Sequence, residues 1–284
     1  MVRPTAVFSL ILTSVFVPAN ANCLYGTSLL PRQVESGRAT VSSFEYNGEK
    51  GPIGWAGLSP DNSACHLGRN QSPIALNGSI PEASSPVNVS FPTVDEAVIE
   101  NIGSTLDVVV NGTTTFEGKS YAHQQFHFHT PSEHHIEGEY FPLEMHMVHE
   151  ASDGSFLVLG LLFELTEDAS TTDLLSSVIE RLDEASEPGA VSSTGPLDFT
   201  ELSSVMQTKP LFQYSGSLTT PPCREGINFL IAKEPLPLNV KTYKALKKVM
   251  GFNARYVQNT LGSINLLEMA ASQFGCAVNS SSGY

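Results

Sequence analysis

The stretch Gln124–His129 alternates polar and aromatic side chains, and no other feature constrains the fold of this chain as tightly. Residues two apart in an extended strand point the same way. Gln125, His127 and His129 therefore line one face while Phe126 and Phe128 enter an apolar one. The alternation returns in Glu144-Met145-His146-Met147-Val148, where Glu144, His146 and Val148 share a face and both methionines take the other. Pairing the two strands brings His127, His129 and His146 to one point. Three imidazoles with an open fourth position are the donor set of catalytic zinc, whereas structural zinc favours a closed set of four with cysteine prominent. A metal-bound imidazole normally gives its second N–H to an acceptor. Gln125 and Glu144, each two residues from a histidine on the same face, stand where those acceptors belong. A glutamate among Leu143, Met145 and Met147 makes little sense as a solvated charge. The plainer alternative, a half-exposed sheet with histidines satisfied by neighbours, suits a lone histidine better than three in phase.

The rest of the chain supports a sheet-dominated α+β fold. Leu106–Val110, Gln124–His129, Glu144–His149 and Phe156–Phe163 read as strands, separated by turn chemistry at Asn111-Gly112, Glu137-Gly138 and Asp153-Gly154. Helical spacing occurs in Leu174, Leu175, Val178, Ile179 and Leu182 after Thr172-Asp173, with Pro188-Gly189 as the stop. It recurs in Val240, Tyr243, Leu246 and Val249 between Asn239 and Gly251. The lysines of that second helix and the acidic, Ser/Thr-rich stretch 166–204 read as solvated surface. With 41% hydrophobic residues among 284, the chain can bury a core and is not a disordered tail. Its formal charge of −14 repels phosphate backbones and anionic membranes, so neither is an expected partner.

Residues 1–21 read as a secretory signal peptide: Arg3, the apolar run Ala6–Leu12, then Ala19-Asn20-Ala21 as a cleavage signature. The run is shorter than the ~20 residues a membrane span requires. No linker divides the remainder, so residues 22–284 are expected to form one secreted domain. Export gives meaning to the sequons at Asn70, Asn77, Asn88, Asn111 and Asn279. Asn70 is the weakest, because Pro73 and an apolar stretch follow and suggest burial. Export also makes the four cysteines candidates for bridges, with three pairings open.

These residues resemble the α-class carbonic anhydrases. The resemblance runs from Tyr46 and Gly51-Pro52-Ile53-Gly54-Trp55 through Asn70-Gln71-Ser72-Pro73-Ile74 and Gln125–His129. It continues through Ser132-Glu133-His134 and Glu144–His149 to Tyr214-Ser215-Gly216-Ser217-Leu218-Thr219-Thr220-Pro221-Pro222. His129-Thr130-Pro131-Ser132-Glu133 is similar to the microbial and fungal branch. The resemblance implies a large, mainly antiparallel, twisted central β-sheet with peripheral helices. It implies zinc on His127, His129 and His146, with Gln125 and Glu144 behind them. Thr219 would orient a zinc-bound hydroxide toward carbon dioxide while donating to Glu133, and Thr220 would help place bicarbonate or an inhibitor. Val148, Val158, Leu218, Ile227 and Phe229 would form the apolar substrate wall. The implied reaction is reversible hydration of carbon dioxide to bicarbonate and a proton. The resemblance also implies a Cys65–Cys223 disulfide bracing the Thr219 loop. Cys23 and Cys276 are left to pair with each other, link subunits or stay free, and a homo-oligomer is left open.

Two departures stand out. The stretch matched to the family's proton-shuttle histidine is Asn111-Gly112-Thr113-Thr114-Thr115, which has no group titrating near neutrality, so the proton must leave through buffer unless His66, His123 or His135 takes over. The other is Phe229, where the family usually carries tryptophan. His127-Phe128-His129-Thr130-Pro131-Ser132-Glu133 also satisfies the cupin pattern H-x-H-x3-E, with Glu133 then a ligand to iron or manganese. The spacing of glycines after Glu133 and the lack of a second cupin motif argue against it. A non-enzymatic binding module on the same scaffold would usually lack a metal histidine, and this chain keeps all three.

Overall fold

The computed structural model describes residues 37–278. The strands in chain order are β1 (Ala75–Leu76), β2 (Asn88–Ser90), β3 (Val98–Asn101), β4 (Leu106–Val109), β5 (Gly112–Phe116) and β6 (Lys119–His129). They continue with β7 (His135–Ile136), β8 (Leu143–Ala151), β9 (Phe156–Leu165), β10 (Val191–Ser193), β11 (Leu211–Ser217), β12 (Glu225–Ala232) and β13 (Leu236–Leu238). Eleven strands form one sheet whose spine runs β10-β3-β4-β6-β8-β9-β12-β11. Pairing is antiparallel except where β12 and β13 lie parallel to β9. β1 and β7 form a separate parallel pair.

The helices are α1 (Trp55–Leu58), α2 (Ala64–Leu67), α3 (Asp173–Val178), α4 (Thr200–Thr208), α5 (Val240–Met250) and α6 (Leu266–Val278). None among the described residues is long and apolar enough to cross a membrane. Thr172 caps α3 by accepting the Leu175 N–H, and Asn239 caps α5 by accepting the Thr242 N–H at 2.8 Å. Gly251 ends α5 at φ +64°, a conformation that suits glycine. The expected run to Leu182 is instead split: α3 stops at Val178, and a 3-10 turn follows at Leu182–Ala185.

Asp153-Gly154 closes the β8–β9 hairpin, with Gly154 at φ +77° and the Ala151 N–H on the Ser155 carbonyl. Asn111-Gly112 is not a comparable turn. Gly112 begins β5, and a Cβ there would collide with the Phe91 ring, so this glycine serves close approach. The apolar face of the sheet, with Phe126, Phe128, Met145 and Met147, packs under α3, α4 and α5 through Leu175, Leu202 and Leu246.

A register shift between His123 and Gln125 changes the facing of β6 partway along. Beyond it Gln125, His127 and His129 share the expected face. Before it His123 turns into the apolar side and meets His149, their rings 4.8 Å apart. His123 donates Nδ1–H to the Val110 carbonyl at 2.6 Å. Burial pushes its pKa down to about 4, and burial with the neighbouring His123 holds His149 well below the usual range. The unfolded chain therefore takes up a proton near pH 6.5 that the folded chain refuses until about pH 4. Stability is complete above pH 6.5 and falls through that window, by about 3 kcal/mol for His123. Acid unfolding followed by circular dichroism should accordingly show a shallower pH dependence for His123→Met than for the parent; equal slopes would contradict this origin.

Candidate metal centre

Beyond the register shift β6 and β8 pair with His127 opposite His146 and His129 opposite Glu144. The three imidazoles, all buried, have ring centroids 4.7 to 5.4 Å apart, and one ligand nitrogen from each lies within 4.8 Å of the others. Their outer nitrogens are tied. His127 Nδ1–H donates to Gln125 Oε1 at 3.0 Å, His129 Nδ1–H to the Asn253 carbonyl at 2.9 Å, and His146 Nε2–H to Glu144 Oε1 at 2.7 Å. These bonds fix each ring's tautomer and orientation. His129 Nε2, fully buried, has no hydrogen-bond partner. Burial lowers the pKa of His129 to about 4 and that of His146 as well, which keeps both as neutral, ligand-ready imidazoles. This donor set fits a metal ion.

Glu144 is fully buried and accepts four hydrogen bonds. Oε2 takes the Glu133 and His134 backbone N–H groups at 2.8 Å each, and Oε1 takes His134 Nδ1–H at 2.6 Å besides His146. Burial alone would raise its pKa, but His134 and His146 together hold it well below the carboxylate range. His134, Glu144 and His146 are also close enough for a metal, yet their facing atoms are already joined to one another. From His134 the network passes to the Tyr214 hydroxyl at 2.6 Å and on to Ser72 at 2.9 Å. Gly160 lies opposite His146; a Cβ there would strike Ile231 Cδ1 and stand 3.6 Å from Glu144 Oε1. Glycine thus leaves room for the Ile231 side chain behind the carboxylate.

Glu133 Oε2 stands 3.4 Å from His129 Nε2 and 4.0 Å from His146 Nδ1. Its Oε1 accepts the Arg255 backbone N–H at 2.8 Å, and the neighbouring Thr219 hydroxyl helps to hold its pKa down. Burial pushes Glu133 up to about 7, against the pull of His146. Thr219 and Thr220, both buried, follow β11 and precede Cys223, which is bonded to Cys65. Gln71 Nε2 donates to the Cys223 carbonyl at 3.0 Å, adding to the brace on this turn.

The apolar residues occupy the adjoining row of the sheet. Val148 pairs with Val158 and Val158 with Phe229, whose ring stacks on Tyr214 at 5.0 Å. Leu218 and Ile227 complete the same buried cluster. Of Thr113–Thr115, Thr114 is buried against His149 on the opposite side, where His123 also lies, while Thr113 and Thr115 alternate to the other, exposed face of β5. From β4 the residue facing His127 is Asp107, which is buried.

Sequence reasoning assigned no role to Asn253, Arg255, Asp107, His134, Tyr214 or Ser72. The last three sat inside quoted motifs, and the in-phase position of Asp107 on β4 was a usable signal. Asn253 and Arg255 belong to an irregular segment after α5 with no periodicity to mark them. Asn253 also accepts the Thr130 N–H and donates to the Phe128 carbonyl, and Arg255, beneath Trp55, donates to the Ser72 carbonyl.

Residues 50–263 match the family model of the eukaryotic-type carbonic anhydrases. A carbonic anhydrase of Pectobacterium carotovorum is 35% identical over 228 residues, covering 77% of this chain and 88% of that protein. The fungal α-carbonic anhydrase of Aspergillus oryzae superposes with a TM-score of 0.79 at 42% identity, over 81% of this chain and 99% of that one. The α-carbonic anhydrase of Thermovibrio ammonificans, solved with the inhibitor sulfanilamide, gives 0.69 at 36% identity, over 76% and 95%. The chain belongs to the α-carbonic anhydrase family. It is an enzyme of carbon dioxide hydration, in a family that generally depends on zinc.

Proposed function

We propose that His127, His129 and His146 hold one zinc ion and that Gln125, Glu144 and the Asn253 carbonyl orient them. The observation that carries this reading is His129 Nε2, buried without a hydrogen bond among three imidazoles whose outer N–H groups are all committed. Bound zinc supplies a Lewis acid that brings the pKa of water to near neutrality, the standard example being this same family. The Arg255 N–H fixes Glu133, whose carboxylate is placed to accept a hydrogen bond from the Thr219 hydroxyl. That leaves the Thr219 oxygen as an acceptor, able to orient the nucleophile toward carbon dioxide. Val148, Val158, Leu218, Ile227 and Phe229 give the uncharged substrate a dry wall, and Thr220 helps place bicarbonate.

With His123 buried on the opposite face and no titrating group among Thr113, Thr114 and Thr115, the proton leaves through buffer. Stopped-flow hydration by the purified protein, before and after chelation and zinc restoration, tests both points. Activity lost with zinc, regained on its return and rising with buffer concentration is expected. A buffer-independent rate would contradict the proton route, and catalysis that survives metal removal would contradict the centre.

Residues 22–284 form the exported domain in this reading, and 1–21, which lie outside the described residues, its leader. The Cys65–Cys223 disulfide suits an oxidising compartment. Cys23, the side chain of Cys276 and Asn279 lie outside the described residues. Asn70, Asn77, Asn88 and Asn111 are all exposed, so Asn70 is more accessible than its neighbours suggested.

A further inference from the structure

Strand β2 is paired on one side only, with β5, and its other flank is covered by α4. A groove of about 710 Å³ runs between the strand's outgoing loop and that helix. Asn88-Val89-Ser90 is a sequon lying in the strand, with Asn88 and Ser90 exposed and Val89 turned inward. Asn88 stands at the mouth of the groove: its Oδ1 is 3.5 Å from Nε2 of Gln207, a lining residue that also donates to the Val89 carbonyl. The lining suits a sugar. Hydroxyls come from Ser90, Thr200 and Ser204, a carboxylate from Asp95, and an apolar ring from Phe91. Hydroxyls and carboxylates match the hydroxyls of a pyranose, and the Phe91 ring, stacked on Phe199 at 3.8 Å, adds an apolar edge for its C–H groups.

We infer that Asn88 carries an N-linked oligosaccharide and that the first sugars of this glycan lie in the groove between β2 and α4. The attachment transfers an oligosaccharide from a lipid diphosphate donor. The Asn88 amide nitrogen forms a bond to the sugar's anomeric carbon, the carbon–oxygen bond to the diphosphate breaks, and the amide gives up one proton. The inference rests on the export reading above. In a seated glycan the polar lining replaces water as partner to the sugar hydroxyls, and the tether makes that contact intramolecular, which raises its effective concentration.

The test is glycopeptide mass spectrometry of the full chain secreted from a eukaryotic host, with native-state release by an endoglycosidase followed at each occupied site. Asn88 should be occupied and its glycan released at least tenfold more slowly than the one at Asn77, which lies outside the groove. Ser204→Trp, which fills the groove from the exposed face of α4, should bring Asn88 release to the Asn77 rate without changing carbon dioxide hydration. If Asn77 is unoccupied, the Ser204→Trp comparison alone decides. Modification at Asn77 or Asn111 with Asn88 bare would overturn the inference while leaving export intact. Release from Asn88 as fast as from Asn77, or unchanged by Ser204→Trp, would overturn the seating. A product with no sequon modified and residues 1–21 retained would overturn the inference and the export reading together.

Discussion

His129→Ala should abolish zinc retention and reduce kcat/KM for carbon dioxide far beyond the about 10- to 100-fold that altering an outer partner costs. The expectation follows from the bonding of the ring. Its Nδ1–H is held by the Asn253 carbonyl, and its Nε2 makes no hydrogen bond and faces the Glu133 carboxyl at 3.4 Å, which leaves that nitrogen free to act as a ligand. Removing it leaves two imidazoles, one of them gripped by Glu144. Metal content by elemental analysis, read beside stopped-flow rates, separates loss of the ion from damage to the fold. A variant that folds, keeps one zinc per chain and turns over within tenfold of the parent would contradict the assignment.

Thr219→Val should leave zinc content unchanged and lower kcat/KM by about 10²-fold or more, the cost of removing one preorganised donor at a reacting centre. Valine keeps the shape of threonine but cannot hydrogen-bond Glu133 or accept from the nucleophile. Glu133 would then keep the Arg255 N–H and lose the hydroxyl that favours its charged form. Burial already pushes this carboxyl up, so losing a hydrogen bond that lowers it should raise it further. Thr219→Ser, which restores the hydroxyl, should recover most of the rate. Equal rates for the valine and serine variants would show that the hydroxyl has no part in turnover.

The alternation in Gln124–His129 and Glu144–Val148 carried more of this account than any other pattern. Period two is a property of the backbone, so the facing of His127, His129 and His146, and of Gln125 and Glu144 beside them, was legible before any coordinates. The caps at Thr172 and Asn239 were legible for a similar reason, since a side chain acting within three residues of itself is local chemistry. What was not legible depends on long-range placement. The shift near Gln124 has no turn residue to announce it, and it alone decides that His123 enters the core. The Asn253 carbonyl reaches His129 across 124 residues, from a segment without periodicity. A backbone acceptor leaves no trace in residue identity. Gly112 misled in the opposite way, since a glycine needed for packing against Phe91 looks in sequence like a glycine needed for a turn.

The central claim is that three histidines and no other side chain bind the ion. X-ray absorption at the zinc edge of the purified holoprotein, compared with the His129→Ala variant after zinc loading, tests it most directly. The parent should show one zinc with three imidazole nitrogens at about 2.0–2.1 Å and one light-atom ligand, and the variant should lose one imidazole. A shell containing sulfur, or a parent and variant with the same imidazole count, would contradict the account.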